Sequence, residues 1–346
     1  MAKVLVVATS KKTRGGITSV IKAHETGEQW EKYHCVWVET HIDRCLVVKL
    51  LILIKGLVKY IMLLPGSDLV HIHLSEKTTI KRKLLFYTMA KLYRKKIIIH
   101  FHAFSSETTI NGTCSKLYRK VFMGADVVVV LSNYWKEQVN RAFNIGDKIR
   151  VVYNPCPSIE LNENYSKTNS ILFAGTLNQR KGYADLMKAF AHVAAKHPDW
   201  RLVLAGNGEV ENARNLSKAL CIEAQVDLLG WVAGSAKEKV YKQASVFCLP
   251  SYAEGFPMAV LDAWAYGLPV ITTPVGGIPD VAIDGENMLL FNPGDINALE
   301  NKLEMIISDK ALRDKMCAES LKLAKGKFSL ETVTKQVGEI YEKLLK

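Results

Sequence analysis

Two α/β domains, each a parallel sheet covered by helices on both faces, are the architecture that this sequence predicts, and three observations carry it. The chain has 346 residues, which suits two domains of ordinary size better than one. Short runs of branched apolar residues alternate with helical patterns from end to end, the pattern of parallel strands joined by crossover helices. That alternation pauses over the polar stretch 158–170 and then restarts, so two Rossmann-like domains with a linker near 156–168 are expected. The boundaries fall at 1–160 and 161–329.

The first domain opens on a strand at 3–8, whose apolar run is too short before Lys11 and Lys12 for a secretion signal. Further strands are expected at 35–39, 69–73, 96–100, 127–131 and 150–153. Between the second and third lies 46–64, almost continuous Leu, Ile and Val interrupted by Lys49, Lys55 and Lys59. Three lysines argue against a membrane span. Arg44, Lys55 and Lys59 fall on one side of a helix, with Lys49 beside them, and leave a broad apolar arc. A core-packed crossover helix is the preferred reading, a helix lying on a membrane surface the alternative, and different parts of the arc could serve both. In the second domain, strands are expected at 171–174, 201–205, 226–229, 245–249 and 268–272.

The chain carries 46 Lys and Arg against 34 Asp and Glu, an excess of +12. Residues 1–155 hold 25 bases and 11 acids and the remainder 21 and 23, so all of the surplus lies in the first part. Such a surface suits anionic lipid headgroups or nucleic acid, or is simply a solvated basic face; recognisable nucleic-acid-binding modules and interleaved aromatics are missing. Seven cysteines without a C-x-x-C pair favour reduced thiols in the cytosol, where the sequons at Asn111, Asn164 and Asn215 carry no sugar.

Chemistry concentrates in 251–280, where Glu254 and Asp262 stand eight residues apart around a helix expected to begin near Pro257. Glu254 then lies just before the helix and Asp262 about two turns in. Amides of Phe256, Met258 and Ala259 at a helix start suit an anion such as a phosphate, and Gly255 permits close approach. Carboxylates there also serve as simple caps. Upstream, Arg180 offers a planar fork for phosphate oxygens and Lys181 a compact charge. The run 202–209 has two glycines of a dinucleotide motif, Gly206 first, but Glu211 stands where the third belongs, so an NAD site is poorly supported. Gly15 and Gly16 open the helix after the first strand. His71, His73, His100 and His102 form two pairs at i, i+2 near expected strand ends; a metal site is thinkable, and a hydrogen-bonded core role is the commoner outcome for such residues.

The Glu254-Gly-Phe-Pro start, the seven-residue gap to Asp262, Gly267-Leu-Pro-Val and the Gly276-Gly-Ile-Pro turn together resemble the E-x7-E signature of retaining, nucleotide-sugar-dependent glycosyltransferases of family 4, which have the GT-B fold. Asp262 departs from the more usual glutamate. The resemblance implies two Rossmann-like domains facing each other across a cleft, with a terminal helix at about 330–346 packing back on the first. It implies transfer of a sugar from a UDP- or GDP-sugar to an acceptor, with no cofactor and no metal; the absence of any D-x-D agrees. Arg180 and Lys181 would take the diphosphate, Glu254 the sugar hydroxyls, His102 (His100 as runner-up) its outer hydroxyl, and Asp262 the ribose. Gly15, Gly16, Gly206, Gly255, Phe256, Met258 and Ala259 would line the donor site. Expected partners are the donor, a glycan or lipid-linked acceptor of bacterial surface polysaccharide synthesis, and an anionic membrane surface at its cytoplasmic face, with no nucleic acid. An epimerase or hydrolase of the same fold is the alternative enzyme, and a basic nucleic-acid-binding protein the alternative class.

Overall fold

The computed structural model describes residues 2–160 and 166–346; the sequon at Asn164 and the start of the second predicted domain at residue 161 lie outside them. The chain divides into two compact units, Met1–Pro155 with Leu330–Lys346, and Cys156–Ser329.

The first unit contains β1 (Val4–Ala8), α1 (Gly16–Glu25), α2 (Glu28–Lys32), β2 (Val36–Glu39), α3 (Leu46–Leu63), β3 (Leu69–Leu74), α4 (Lys77–Leu92), β4 (Lys96–Phe101), α5 (Ser115–Gly124), β5 (Val127–Val130), α6 (Asn133–Phe143) and β6 (Ile149–Val151). The strands make one parallel sheet in the order β2-β1-β3-β4-β5-β6. Because both faces are covered, the strands are apolar at successive positions; all five residues of β1 and all four valines of β5 are buried. Tyr60 of α3, Phe86 of α4, Phe122 of α5 and Trp135 of α6 fill the core on one face. On the other, Ile21 of α1 packs with Val333, Val337 and Tyr341 from the last helix of the chain (Leu330–Leu345).

The second unit contains β7 (Ser170–Ala174), α7 (Tyr183–Ala194), β8 (Arg201–Ala205), α8 (Val210–Ala219), β9 (Val226–Gly230), α9 (Ser235–Gln243), β10 (Val246–Leu249), α10 (Met258–Ala265), β11 (Val270–Thr272), β12 (Leu289–Leu290), α11 (Ile296–Ser308) and α12 (Lys310–Lys325); the terminal helix is α13. Its parallel sheet runs β12-β11-β10-β7-β8-β9. The starts of α11 and α12 are set by side chains that satisfy free amides: Asp295 accepts from Ala298 N and Asp309 from Leu312 N, both at 2.9 Å. Each unit is thus the parallel α/β sheet that the alternation of the sequence predicts.

Three details differ from the sequence reading. β12 is only two residues long, below the length at which a periodic pattern shows. Pro257 is the N-cap of α10, which begins at Met258, so Asp262 sits one turn in, not two. In α3 only Gly56 and Tyr60 are buried outright, so core packing accounts for one narrow side of the helix. Gly56 is fixed there because a Cβ would meet the Glu39 carbonyl oxygen at 1.8 Å.

Candidate active site

In an open parallel sheet the strand order reverses at one point, where loops leaving the carboxyl ends of adjacent strands diverge and leave a crevice. In the second sheet this reversal lies between β7 and β10. The loop after β7 carries Arg180 and Lys181, and the loop after β10 carries Glu254. Lys181 Nζ donates to Glu254 Oε1 at 2.5 Å, and Arg180 Nη1 stands 3.4 Å from the same oxygen. Arg180 Nη1 also donates to Ala253 O at 2.6 Å, and Tyr252 N donates to Arg180 O at 2.7 Å, so the two loops are tied by backbone as well as charge. Asn178 Oδ1 accepts from the Lys181 amide at 3.0 Å and caps the tight turn Gln179–Lys181. Gly182 ends that turn at φ 69°, where a Cβ would meet Pro250 O at 2.1 Å.

Glu254 is 7% exposed. Burial pushes its carboxyl up, but the charges of Lys181 and Arg180 and the Lys181 hydrogen bond outweigh it and hold the group below the usual carboxylate range. Two cations around one carboxylate leave net positive charge. The Met258 and Ala259 amides, in the first turn of α10, have no carbonyl partner within the helix and add to the same field. Gly255 O accepts from Gly277 N at 2.8 Å, and a Cβ on Gly276 would meet Glu254 O at 2.2 Å, so the Gly276-Gly277 turn seats the Glu254 backbone. The Phe256 side chain is buried against Trp264 and Phe328 and serves the core.

Asp262 belongs to a second pair. Lys237 Nζ, at the start of α9, donates to Asp262 Oδ2 at 2.7 Å. Burial raises the Asp262 carboxyl above its ordinary value, and Lys237 offsets only part of that rise. Nothing in the local sequence marks Lys237, because its partner lies 25 residues away and on another helix. Gly206 follows β8, and a Cβ there would meet Gly175 O at 1.7 Å. Glycine at this position is required by the close approach of two loop backbones.

The first sheet reverses between β1 and β3. Gly15, at φ 138°, is the N-cap of α1 and Gly16 its first residue. The loop before them is held by Glu39, which accepts from Ser10 Oγ at 2.7 Å and Lys11 N at 2.6 Å. Beside this loop stands a column of histidines. His73 of β3 pairs in register with His100 of β4, and the alternation continues past the strand end to His102, whose amide donates to Leu74 O at 2.7 Å. The His71 and His73 rings stack at 4.5 Å, His73 and His100 at 4.9 Å, and His100 and His102 at 4.2 Å. His71 Nδ1 shares a hydrogen bond with Tyr341 Oη at 2.7 Å, and His73 Nδ1 with His102 Nε2 at 2.9 Å. His100 is 1% exposed and neither ring nitrogen has a partner among the described residues; His102 is half-buried. Burial holds the column neutral, with His71 brought down to about 3 and His24, 6.2 Å from His100, to about 4.

His71, His73 and His100 place one ring nitrogen each within 4.8 Å of the others, close enough to raise the question of a metal. Their planes lie within 4–27° of parallel. In-plane lone pairs then run side by side, whereas a tetrahedral centre needs them to converge at about 2 Å. The column is a stack of neutral imidazoles.

The family described as Glycosyl transferases group 1 matches residues 159–322, and the one described as Glycosyltransferase Family 4 matches residues 8–157. An uncharacterized glycosyltransferase of Methanocaldococcus jannaschii is 29% identical over 62% of this chain and 59% of its own length. The capsular polysaccharide biosynthesis glycosyltransferase CapM of Staphylococcus aureus is 26% identical over 63% of this chain and again 59% of its own, so the matched region spans about three fifths of these relatives. The crystal structure of Anabaena Alr3699/HepE in complex with UDP-glucose superimposes with a TM-score of 0.78 at 18% identity, covering 99% of this chain and all of the other.

Proposed function

This chain belongs to the group 1, family 4 glycosyltransferases, and on that premise we propose that it moves a sugar from a nucleoside diphosphate sugar to an acceptor, with retention at the anomeric carbon and without a metal. The observation that carries this reading is the trio of Arg180, Lys181 and Glu254 at the reversal of the second sheet. Two cations already oriented by a buried carboxylate can take up charge developing on a departing diphosphate with little reorganisation. Glu254 takes the sugar hydroxyls, the Met258 and Ala259 amides a phosphate, and Asp262, released from Lys237, the ribose. His102 and the Gly15-Gly16 turn complete the assignment on the first unit. The UDP-glucose complex of HepE supports the donor class.

The acceptor in this reading is a lipid-linked glycan of a surface polysaccharide pathway, a class that the CapM likeness supports. The excess of bases in residues 1–155 would draw the enzyme to the anionic inner face of the membrane. Among the described residues no helix is long and apolar enough to cross a membrane.

A thermal-shift panel of UDP, GDP and their sugars, followed by transfer of labelled sugar in excess EDTA, tests the proposal. One diphosphate should raise the melting temperature, and label should reach the acceptor with its anomeric configuration kept. Free sugar released without an acceptor would make the chain a hydrolase. Activity abolished by EDTA and restored by manganese would end metal independence.

A further inference from the structure

The layer formed by α3, α4 and α5 on the first sheet has an outer surface that the proposed transfer does not use. The three helices share one core: Tyr60 of α3 meets the Phe86 ring of α4 at 5.0 Å and donates to its carbonyl at 2.8 Å, and Phe122 of α5 joins them. Eight large apolar side chains of α3 are nevertheless exposed, from Leu46 at 71% to Met62 at 76%. Leu50, Ile54 and Val58 follow at i, i+4 spacing, so they form a stripe along one side of the helix. α4 adds Leu85 and Leu92, and α5 adds Met123. Soluble monomers rarely leave so continuous an apolar patch in water.

The charges around the patch select what covers it. The sequences of α3, α4 and α5 contain 11 lysines and arginines, of which only Lys83 is buried, and not one acid. On the opposite face of the same sheet, α1, α2 and α13 carry 6 acids and 4 lysines, and α6, which shares the face of α3, α4 and α5, adds two bases and one acid, so the bias belongs to α3, α4 and α5 and not to the unit at large. Lys55, Lys81, Arg119 and Lys120 are exposed, with no carboxylate within 4.0 Å among the described residues. A second copy docked through this face would bring two acid-free, basic surfaces together. A nucleic acid would satisfy the bases and leave the apolar stripe in water. An anionic bilayer answers both features, headgroups for the bases and the acyl boundary for the stripe.

We propose that α3 lies flat in the interface of an anionic membrane, its Leu50-Ile54-Val58 side inserted below the headgroups and the bases of α3, α4 and α5 bordering it. The inference deepens the membrane reading above, and no residue of α3 belongs to the proposed donor site, so the two fail separately. Insertion differs from purely electrostatic attraction in its response to salt, since apolar burial is not screened.

The test is co-sedimentation of the full chain with phosphatidylcholine vesicles, with and without phosphatidylglycerol, at low and high salt. The wild type should prefer the anionic vesicles by about tenfold and keep part of its binding at high salt. Leu50→Ser with Ile54→Ser should lose about tenfold in vesicle binding, while the melting temperature and the thermal shift with UDP- or GDP-sugars stay as in the wild type. Variant binding equal to wild type would overturn the assignment to α3, and complete release by salt would overturn insertion. A wild-type dimer in size-exclusion light scattering that the variant dissolves, with no vesicle binding by either, would make the face a subunit interface instead.

Discussion

The two units share a plan and differ in what they place at its reversal point. Both sheets have six parallel strands; in the second the loops after the reversing strands carry Arg180, Lys181 and Glu254, whereas in the first the loop after β1 leads to Gly15 and Gly16 and the histidines lie within β3 and β4 or just past β4. The second unit sets a buried carboxylate between two cations there. The first sets stacked imidazoles that burial keeps neutral. The same backbone geometry thus serves opposite electrostatic tasks. On the proposed reading, the trio of the second unit receives negative charge, whereas the first unit presents a neutral imidazole, the half-buried His102, to a sugar hydroxyl. Topology chooses where a site forms, and the charge balance of a few side chains chooses what it binds.

The sharpest way to break this contrast is to discharge the second site. Arg180→Ala with Lys181→Ala should lower kcat/KM by about a thousandfold, since each charged contact in a transition state is worth about 2 kcal/mol or more. The protein should still fold, because Glu254 can take up a proton once its cations are gone. Turnover near wild type would remove the diphosphate role and with it the electrostatic half of the comparison.

Acid should separate the units next. His24 and His71 hold folded values of about 4 and about 3 against 6.5 for an ordinary imidazole, so below pH 6.5 the unfolded chain binds protons that the folded chain refuses. Stability is whole above 6.5 and falls as pH drops toward 4, by about 1.4 kcal/mol per pH unit for each such histidine. Glu254, held below its usual value, begins to lose its contribution only at lower pH. Hydrogen exchange at pH 7 and 5 should therefore show β3 and β4 losing protection before β7 and β10. Equal loss in both sheets would mean that the imidazole column does not set the acid response of its unit.

The smallest expected effect concerns Lys237, which holds Asp262 at 2.7 Å. Lys237→Ala should change the KM for the donor a few-fold with kcat nearly constant, because a half-exposed ion pair contributes about 1 kcal/mol or less. A fall in kcat as large as that of the Arg180-Lys181 variant would place Asp262 and Lys237 with the reacting groups.

Much of this protein was readable along the chain. Strand runs such as Val127–Val130 and the helix that opens after Pro257 follow from local period and cap chemistry. Arg180, Lys181 and Glu254 stood out because their residue types and neighbours form motifs. The pairings did not stand out. Lys181 and Glu254 are 73 residues apart and meet only because β7 and β10 are neighbours at the reversal of strand order. His71 and His73 were visible as an i, i+2 pair, yet their stacking on His100 depends on the register of β3 against β4.

The sequence by itself determined the alternation of strands and helices, the asymmetry of charge between its two parts and the types of groups available for chemistry, because periodicity and composition are properties of neighbouring residues. Tertiary structure alone decided that Asp262 answers to Lys237, that Gly206 is a glycine because the Gly175 carbonyl lies against it, and that the apolar arc of α3 turns mostly outward. Each of these is set by which element packs beside which. A helical period fixes the face on which an apolar stripe lies, but only the packed sheet fixes whether that face meets protein or solvent.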